Sequence, residues 1–420
     1  MIRRKAFPRD RTPEIAPLMY ASLSNATRKT ALLLGLLACL VATSVQAQVK
    51  PAKISPQSVP QVSGNFLEQT GAQPHFARFN KMPSGLIATL RAAPVTGTAA
   101  ASRTIPFFMG AFLFNGTSHP YFMAGNDPQH GAETRINAAA IPLNFYFDEW
   151  LDSNGKHINI KVASVLDKTL TSPNFVKSAY SNGFGQFGDA VQRAEFFSVM
   201  KDSWHTTLNR PRLLTPVTIT VPFGQSQVFQ LPDGSFMATL SADFFESQLS
   251  TILQLAGQKP QEFPMLLSKN VFLYAGDPAN CCILGFHSAY DVSTAGHPAV
   301  QTFAWASWAS EGIFSSFSDV TPLSHEISEW MNDPFVSNTV PAWQSPNGRD
   351  CQGKLSSGDP TEVFANSVFP VTLHGFTYHP QNETLLPWFA REDPSSAFRG
   401  AYSYPDTSLL TEAAQDCAAE

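Results

Sequence analysis

The residues most suited to chemistry are His325, Glu326 and Glu329, which follow one another at helical spacing. At about 100° per residue, His325 and Glu329 lie one turn apart on one side of a helix, with Glu326 at the flank. This is the layout of the H-E-x-x-H metal-binding helix, with the second His replaced by Glu. In this interpretation His325 and Glu329 bind a metal, and Glu326 is the general base for a metal-activated water.

An alternative interpretation, without a metal site, also stays open. An ordinary solvated helix face carries the same ionisable groups, and H-E-x-x-E is less specific than H-E-x-x-H. The surrounding helix is nevertheless well marked, because Thr321 is suited to the N-cap, Pro322 to the first helical position and Pro334 to the stop. We predict a helix over residues 321–332. Its opposite side is apolar and consists of Leu323, Ile327, Trp330 and Met331.

A third protein ligand has to come from another part of the chain. Asp359 lies in a Gly-Asp-Pro sequence, a turn that can hold a carboxylate rigidly, although an ordinary Asx turn has the same residues. His287 follows the paired cysteines and could approach the site if a disulfide joins Cys282 to Cys351, or it could be a core histidine on a strand. Other downstream acids and imidazoles are Asp350, Glu362, His374 and His379.

The ligand set His325, Glu329 and Asp359 predicts zinc, with a water in the fourth position. Its two carboxylates place more negative charge on the metal than two imidazoles would. Because such a site is harder, Ca²⁺, Mn²⁺ and Mg²⁺ are competitors.

Composition limits the function classes. The 420 residues carry a net charge of -5 and are 43% hydrophobic, with 15% charged residues. No Lys/Arg cluster lies outside the N-terminal residues 1–47, which argues against a nucleic-acid partner. No second apolar run reaches membrane-spanning length, so we expect no membrane association once the leader is removed.

The leader itself, residues 28–47, has the pattern of a secretory signal peptide. Arg28 and Lys29 precede an apolar run at residues 31–45, and small residues mark a cleavage site near Ala47. An uncleaved N-terminal anchor is the alternative. The pattern predicts a secreted or periplasmic protein.

Four cysteines remain after cleavage, and in an exported chain they predict disulfides. Because a bond between the adjacent Cys281 and Cys282 would be strained, we expect each to bond a distant partner. Cys351 and Cys417 are the candidates, and the pairing is open.

The whole chain is predicted to be α+β in four parts. These are a signal peptide at residues 1–47, a flexible Pro/Ser/Ala-rich arm at 48–103, a β-rich domain at 104–235 and a mixed domain at 236–420. Asn115-Gly116 predicts a hairpin turn. Further strands are predicted at residues 141–147, 158–162, 214–221, 266–274, 282–287 and 300–308. Helices are predicted at residues 188–200 and 244–255.

Three segments carry a family resemblance: residues 281–288, residues 323–334, and Cys351 followed by residues 358–360. Together they resemble uncharacterised secreted zincin-like proteins of bacteria and fungi. The helix is more distantly similar to the plant phosphate-induced (Exordium-like) proteins. The resemblance implies a zincin-like fold for residues 236–420. The group's common pattern is Glu-x-Gly-Asp, and here Ser356 stands in place of that Glu, which leaves Asp359 as the main acid.

The leading hypothesis is a secreted metal-dependent hydrolase, peptidase-like, which is a monomer and acts on a peptide or cell-wall substrate. The alternative is a non-enzymatic extracellular protein, Exordium-like, with a structural metal site or an ion-pair cluster. A glycoside hydrolase ranks third, because two carboxylates on one helical turn do not define that geometry.

Overall fold

The computed structural model describes residues 55–61, 104–257, 259–294 and 297–418. The predicted signal peptide lies outside the described residues, as does most of the predicted flexible arm. The described piece of that arm includes strand β1, Gln57–Ser58, which pairs with Trp150 and Leu151. No helix among the described residues is long and apolar enough to cross a membrane.

The described residues form a strand-rich α+β fold. Its α-helices are α1 Ala163–Leu170, α2 Phe187–Glu195, α3 Ala242–Leu255, α4 Thr321–Asn332 and α5 Leu386–Ala390. After β1, its strands are β2 Phe107–Phe114, β3 Thr117–Ala124, β4 Glu133–Leu151, β5 His157–Lys161, β6 Ser178–Tyr180, β7 Gly183–Gly185, β8 His205–Leu208, β9 Arg212–Leu213, β10 Val217–Val221, β11 Ser226–Gln230, β12 Phe236–Ser241, β13 Glu262–Lys269, β14 Val271–Tyr274, β15 Cys281–Ile283, β16 Gly285–Asp291, β17 Val300–Trp308, β18 Thr339–Gln344, β19 Cys351–Lys354, β20 Val371–Leu373, β21 Phe376–Tyr378, β22 Glu383–Thr384 and β23 Ser403–Tyr404.

The 19-residue strand β4 organises the main sheet. It pairs with β1, β8, β9, β10 and β13 in parallel and with β5 antiparallel. Beyond β13 follow β17, parallel, and β16, antiparallel. Because β4 lies in the segment 104–235 and β13 in the segment 236–420, one sheet draws strands from both predicted domains. The described residues all belong to one compact unit.

The two faces of the main sheet bury different partners, since successive side chains of a strand point to opposite faces. On β17, Ala304 and Ala306 pack in one cluster with the apolar side of α4. Phe303 and Trp305 pack in the other cluster with α3 and the four-stranded sheet β11-β12-β14-β15. The small alanines let α4 lie close to the sheet.

Helix α4 has the predicted bounds, but every one of its residues is buried, including those on the side expected to face water. Trp330 anchors it: the indole stacks on Phe263 with ring centroids 3.7 Å apart, and Nε1 donates to Thr302 at 3.0 Å. The N-cap prediction was wrong by one residue. Val320 occupies the cap. The Thr321 hydroxyl instead lies 2.6 Å from two carbonyl oxygens, that of Ser318 and that of His379 on the covering C-terminal segment.

Other predicted elements are confirmed with shifted bounds. The hairpin β2–β3 turns at Asn115 and Gly116, both with positive φ, as its Asn-Gly sequence indicates. Residues 282–287, predicted as one strand, are divided between β15 and β16, which lie in different sheets. Residues 266–274, also predicted as one strand, are likewise two strands in different sheets. The break falls at Asn270, whose φ of 52° lies in the left-handed region and ends the extended run.

The cysteine prediction was wrong for the adjacent pair. Cys281 bonds Cys282, and Cys351 bonds Cys417. The C-terminal segment returns to β18, where Asp416 forms an antiparallel β-bridge with Trp343. This pairing places Cys417 beside Cys351 on β19, the strand that pairs with β18. Cys351 and Cys417, which were the candidate distant partners, are therefore bonded to each other.

Candidate metal centre

The structure brings the three predicted ligands together. Nε2 of His325 lies 3.4 Å from Oε1 of Glu329 and 4.0 Å from Oδ1 of Asp359. One ligand atom from each residue lies within 4.8 Å of the others. Relative exposure is 0% for His325, 5% for Glu329 and 3% for Asp359, so the cluster is interior rather than a solvated helix face.

The loop after β19 reaches the helix through small residues and direct hydrogen bonds. Ser356 Oγ donates to Oε1 of Glu329 at 2.6 Å, and the backbone N–H of Gly358 donates to the same oxygen at 3.2 Å. A Cβ on Gly358 would overlap the imidazole of His325, so only glycine lets the loop lie this close. Because Asp359 directly follows Gly358, its Oδ1 lies 4.0 Å from Nε2 of His325.

Two glutamine side chains orient two of the predicted ligands, His325 and Asp359. Gln381 donates from Nε2 to the carbonyl of Gly358 at 2.7 Å, so its Oε1, 3.2 Å from Nδ1 of His325, is the acceptor of an Nδ1–H. In the neutral imidazole this hydrogen bond turns the lone pair of Nε2 towards the two carboxylates. Gln352 donates to Oδ2 of Asp359 at 2.7 Å. Such support by outer residues is typical of metal-ligating side chains.

Glu326 lies beside the three predicted ligands and contacts His287. Oε2 of Glu326 is 3.2 Å from Nδ1 of His287, and that nitrogen is 3.7 Å from Oε2 of Glu329. The approach of His287 does not depend on a disulfide between Cys282 and Cys351. It follows from the pairing of β16 with β17, which places His287 opposite Ala304 on the face that α4 covers.

Burial and mutual charge shift the pKa values in the cluster. Burial lowers the pKa of the His325 imidazole, but the neighbouring Glu329 carboxylate outweighs it and raises that pKa well above its usual value. Burial raises the pKa of Glu329, but the charge of His325 and its hydrogen bond lower it to about 2. Burial raises the pKa of Glu326. A proton at Nε2 of His325, facing Glu329, is therefore favoured.

Sequence reasoning missed a further buried acid, Glu383. Its Oε2 accepts a hydrogen bond from Ser357 Oγ at 2.9 Å, and burial raises its pKa well above the usual value. Gln352 and Gln381 were also missed. All three lie outside the H-E-x-x-E motif, in segments whose position depends on tertiary packing.

The remaining sequence candidates are placed elsewhere. Nδ1 of His379 lies 2.7 Å from Oδ2 of Asp319, and His374 is exposed in the β20–β21 turn. Within the described ranges, the clusters with metal-ligand spacing contain neither Asp350 nor Glu362.

Comparison with protein families, with curated proteins and with solved structures gives no match for this chain. The resemblance to secreted zincin-like and Exordium-like proteins therefore stays a prediction. What supports a function is the geometry of the centre.

Proposed function

We propose that this protein is an exported metal-dependent hydrolase, peptidase-like, with a divalent cation held by His325, Glu329 and Asp359. The observation that carries the proposal is the meeting of one imidazole nitrogen and two carboxylates in the interior, with a further acid, Glu326, beside them. The leader at residues 28–47, which lies outside the described residues, supports export.

The donor set fits zinc. An imidazole nitrogen and carboxylate oxygens are both common zinc ligands, and Gln381 holds His325 in the tautomer that presents Nε2. Two carboxylates also suit Mn²⁺, Mg²⁺ or Ca²⁺, so the identity of the cation depends on supply as well as on geometry. Ionised carboxylates in the interior are costly unless a positive charge compensates them, which favours a bound cation.

The chemistry divides between the cation and the chain. A bound divalent cation supplies Lewis acidity towards a carbonyl oxygen and makes a nearby water more acidic. Glu326 would accept the proton of that water, and its buried carboxyl, with a raised pKa, suits a general base near neutral pH better than an exposed one would. His287, at 3.2 Å, fixes the orientation of the Glu326 carboxylate.

A second function is favoured by the burial of the site. Structural metal sites are closed, whereas catalytic sites keep a position open to substrate. Exposure of the three ligands does not exceed 5%. This observation supports a non-enzymatic extracellular protein in which a cation, or the His325–Glu329 ion pair, ties α4 to the loop that carries Asp359.

One experiment separates the two functions. The mature protein is purified, its metal content is measured by elemental analysis, and casein hydrolysis is assayed with and without chelator. Stoichiometric metal with chelator-sensitive cleavage, lost in Glu326→Gln while that variant keeps its metal, supports the hydrolase. Stoichiometric metal without cleavage supports the structural role. Absence of metal from protein purified in zinc-containing buffer contradicts the hydrolase.

A further inference from the structure

We propose that the same centre binds a second divalent cation through His287, Glu326 and Glu329, so that Glu329 bridges two cations. The inference rests on the proposed function only for the first cation. It adds a site of its own, formed by ligands from β16 and α4.

The orientation of Glu329 is the first argument. Its two oxygens face different imidazoles: Oε1 lies 3.4 Å from Nε2 of His325, and Oε2 lies 3.7 Å from Nδ1 of His287. His287, Glu326 and Glu329 each offer one ligand atom within 4.8 Å of the others, as do His325, Glu329 and Asp359. Glu329 is common to both groups, and a carboxylate with one oxygen towards each group is suited to bridge a metal pair about 3.5–4 Å apart.

Glu326 supplies an independent observation. Its side chain is 1% exposed, and within the part of the chain that the structure describes Oε1 has no hydrogen-bond partner. Buried polar atoms in proteins are nearly always satisfied, so an unsatisfied carboxylate oxygen points to a missing ligand. Gly285, on the adjacent strand β16, leaves the space that this oxygen occupies, because a Cβ on Gly285 would lie only 2.7 Å from it.

Charge gives the third argument. The ion pairs that Glu326 and Glu329 make in the structure are with His287 and His325, which carry charge only when protonated. A single cation between His325 and Asp359 leaves the carboxylate of Glu326 and the imidazole of His287 outside its ligand set. A second cation between His287 and Glu326 would compensate the negative charge of the buried Glu326 carboxylate.

The second site changes what Glu326 does. With one cation bound, Glu326 is available as a proton acceptor. With both bound, its carboxylate is a ligand of the second cation. Its mixed imidazole and carboxylate donors suit Zn²⁺ and Mn²⁺.

The test counts Mn²⁺. The full chain is stripped with a chelator, desalted and titrated with Mn²⁺, and free Mn²⁺ is measured by electron paramagnetic resonance. We expect two bound ions per chain with an exchange-coupled spectrum, falling to one uncoupled ion in His287→Ala and in Asp359→Asn. His130→Ala, which removes an exposed imidazole paired with Asp127, is the control and keeps two.

Any other number of bound Mn²⁺ ions overturns the second site. One ion in the unaltered chain and in His287→Ala overturns the second site and leaves the proposed function intact. Two ions in both proteins also overturns it, because the second ion then binds elsewhere. No bound ion overturns both proposals. If circular dichroism shows that His287→Ala is unfolded, His287→Gln keeps a side chain of similar length and takes its place.

Discussion

Nε2 of His325 lies 3.4 Å from Oε1 of Glu329, one turn further along α4, on a helix whose every residue is buried. The interior position makes this pair different from a surface ion pair, which contributes little to stability. It also makes the pair depend on the segments that cover it.

Gly358→Ala should displace the His325 imidazole, because the added Cβ overlaps the ring. The φ of Gly358 is not in the left-handed region, so the effect comes from space alone. We expect a destabilisation of about 1–3 kcal/mol in urea unfolding. We also expect a metal affinity at least about 10-fold lower in a competition titration, the size seen when the support of a ligand is lost. Gly353→Ala, on β19 and away from the His325 ring, should keep wild-type affinity. Unchanged affinity in Gly358→Ala would show that His325 is not a ligand.

Gln381→Ala should weaken metal binding without removing a ligand. The variant loses the acceptor of the His325 Nδ1–H and the donor to the Gly358 carbonyl. Loss of such outer support lowers metal affinity by about 10–100-fold. Gln344→Ala removes an amide that donates to the carbonyl of Asp350, outside the ligand cluster, and should leave affinity within error. Equal affinities for the two variants would contradict the orienting role of Gln381.

The pair of Cys351 and Cys417 should stabilise the segment that holds Asp359. Their bond spans 66 residues of sequence, and the chain-entropy account assigns such a loop a contribution of about 4 kcal/mol. The Cys351→Ala/Cys417→Ala double variant should lose stability of this order in urea unfolding. A loss below about 1 kcal/mol would mean that the packing of Trp343 and Trp388 holds the segment without the bond.

Glu195 should make stability fall as pH rises. Burial raises the pKa of this carboxyl to about 8 from an ordinary value of 4.5, and Oε1 accepts the backbone N–H of Leu386 at 2.8 Å. The folded protein therefore holds a proton that the unfolded chain releases between these two values. The stabilisation is complete below pH 4.5 and is lost as pH rises to about 8, at up to about 1.4 kcal/mol per pH unit.

Glu195→Gln tests this directly, because the amide mimics the protonated acid at every pH. We expect the unfolding free energy of the variant to fall less between pH 6 and pH 8 than that of the unaltered chain. Buried Glu246 and Asp333, whose pKa values burial raises to about 7, act equally in both proteins. Identical pH slopes would contradict a protonated Glu195.

The part of the site that could be predicted is local in sequence. Thr321–Asn332 was predicted as a helix because caps, stops and a 3.6-residue apolar period all fall within one short segment. His325, Glu326 and Glu329 followed from that period. Asp359 was found through its Gly-Asp-Pro turn, and the structure places it against His325.

The part that could not be predicted depends on how distant segments pack. The side of α4 expected to face water is covered by residues 356–359 and 381–383, which lie in stretches without periodic pattern. The position of His287 follows from the register of β16 against Ala304 on β17, and register between strands cannot be derived from spacing along one strand. The disulfide pairing likewise depended on the return of residue 417 to β19.

The most direct test of a metal centre is an anomalous difference map. Crystals of the mature chain are grown with zinc and measured on both sides of the zinc absorption edge. We predict a peak bonded to Nε2 of His325, Glu329 and Asp359 at about 2.0–2.2 Å. An empty map, with the His325 imidazole hydrogen-bonded to Glu329, would contradict a zinc centre and leave a buried ion pair.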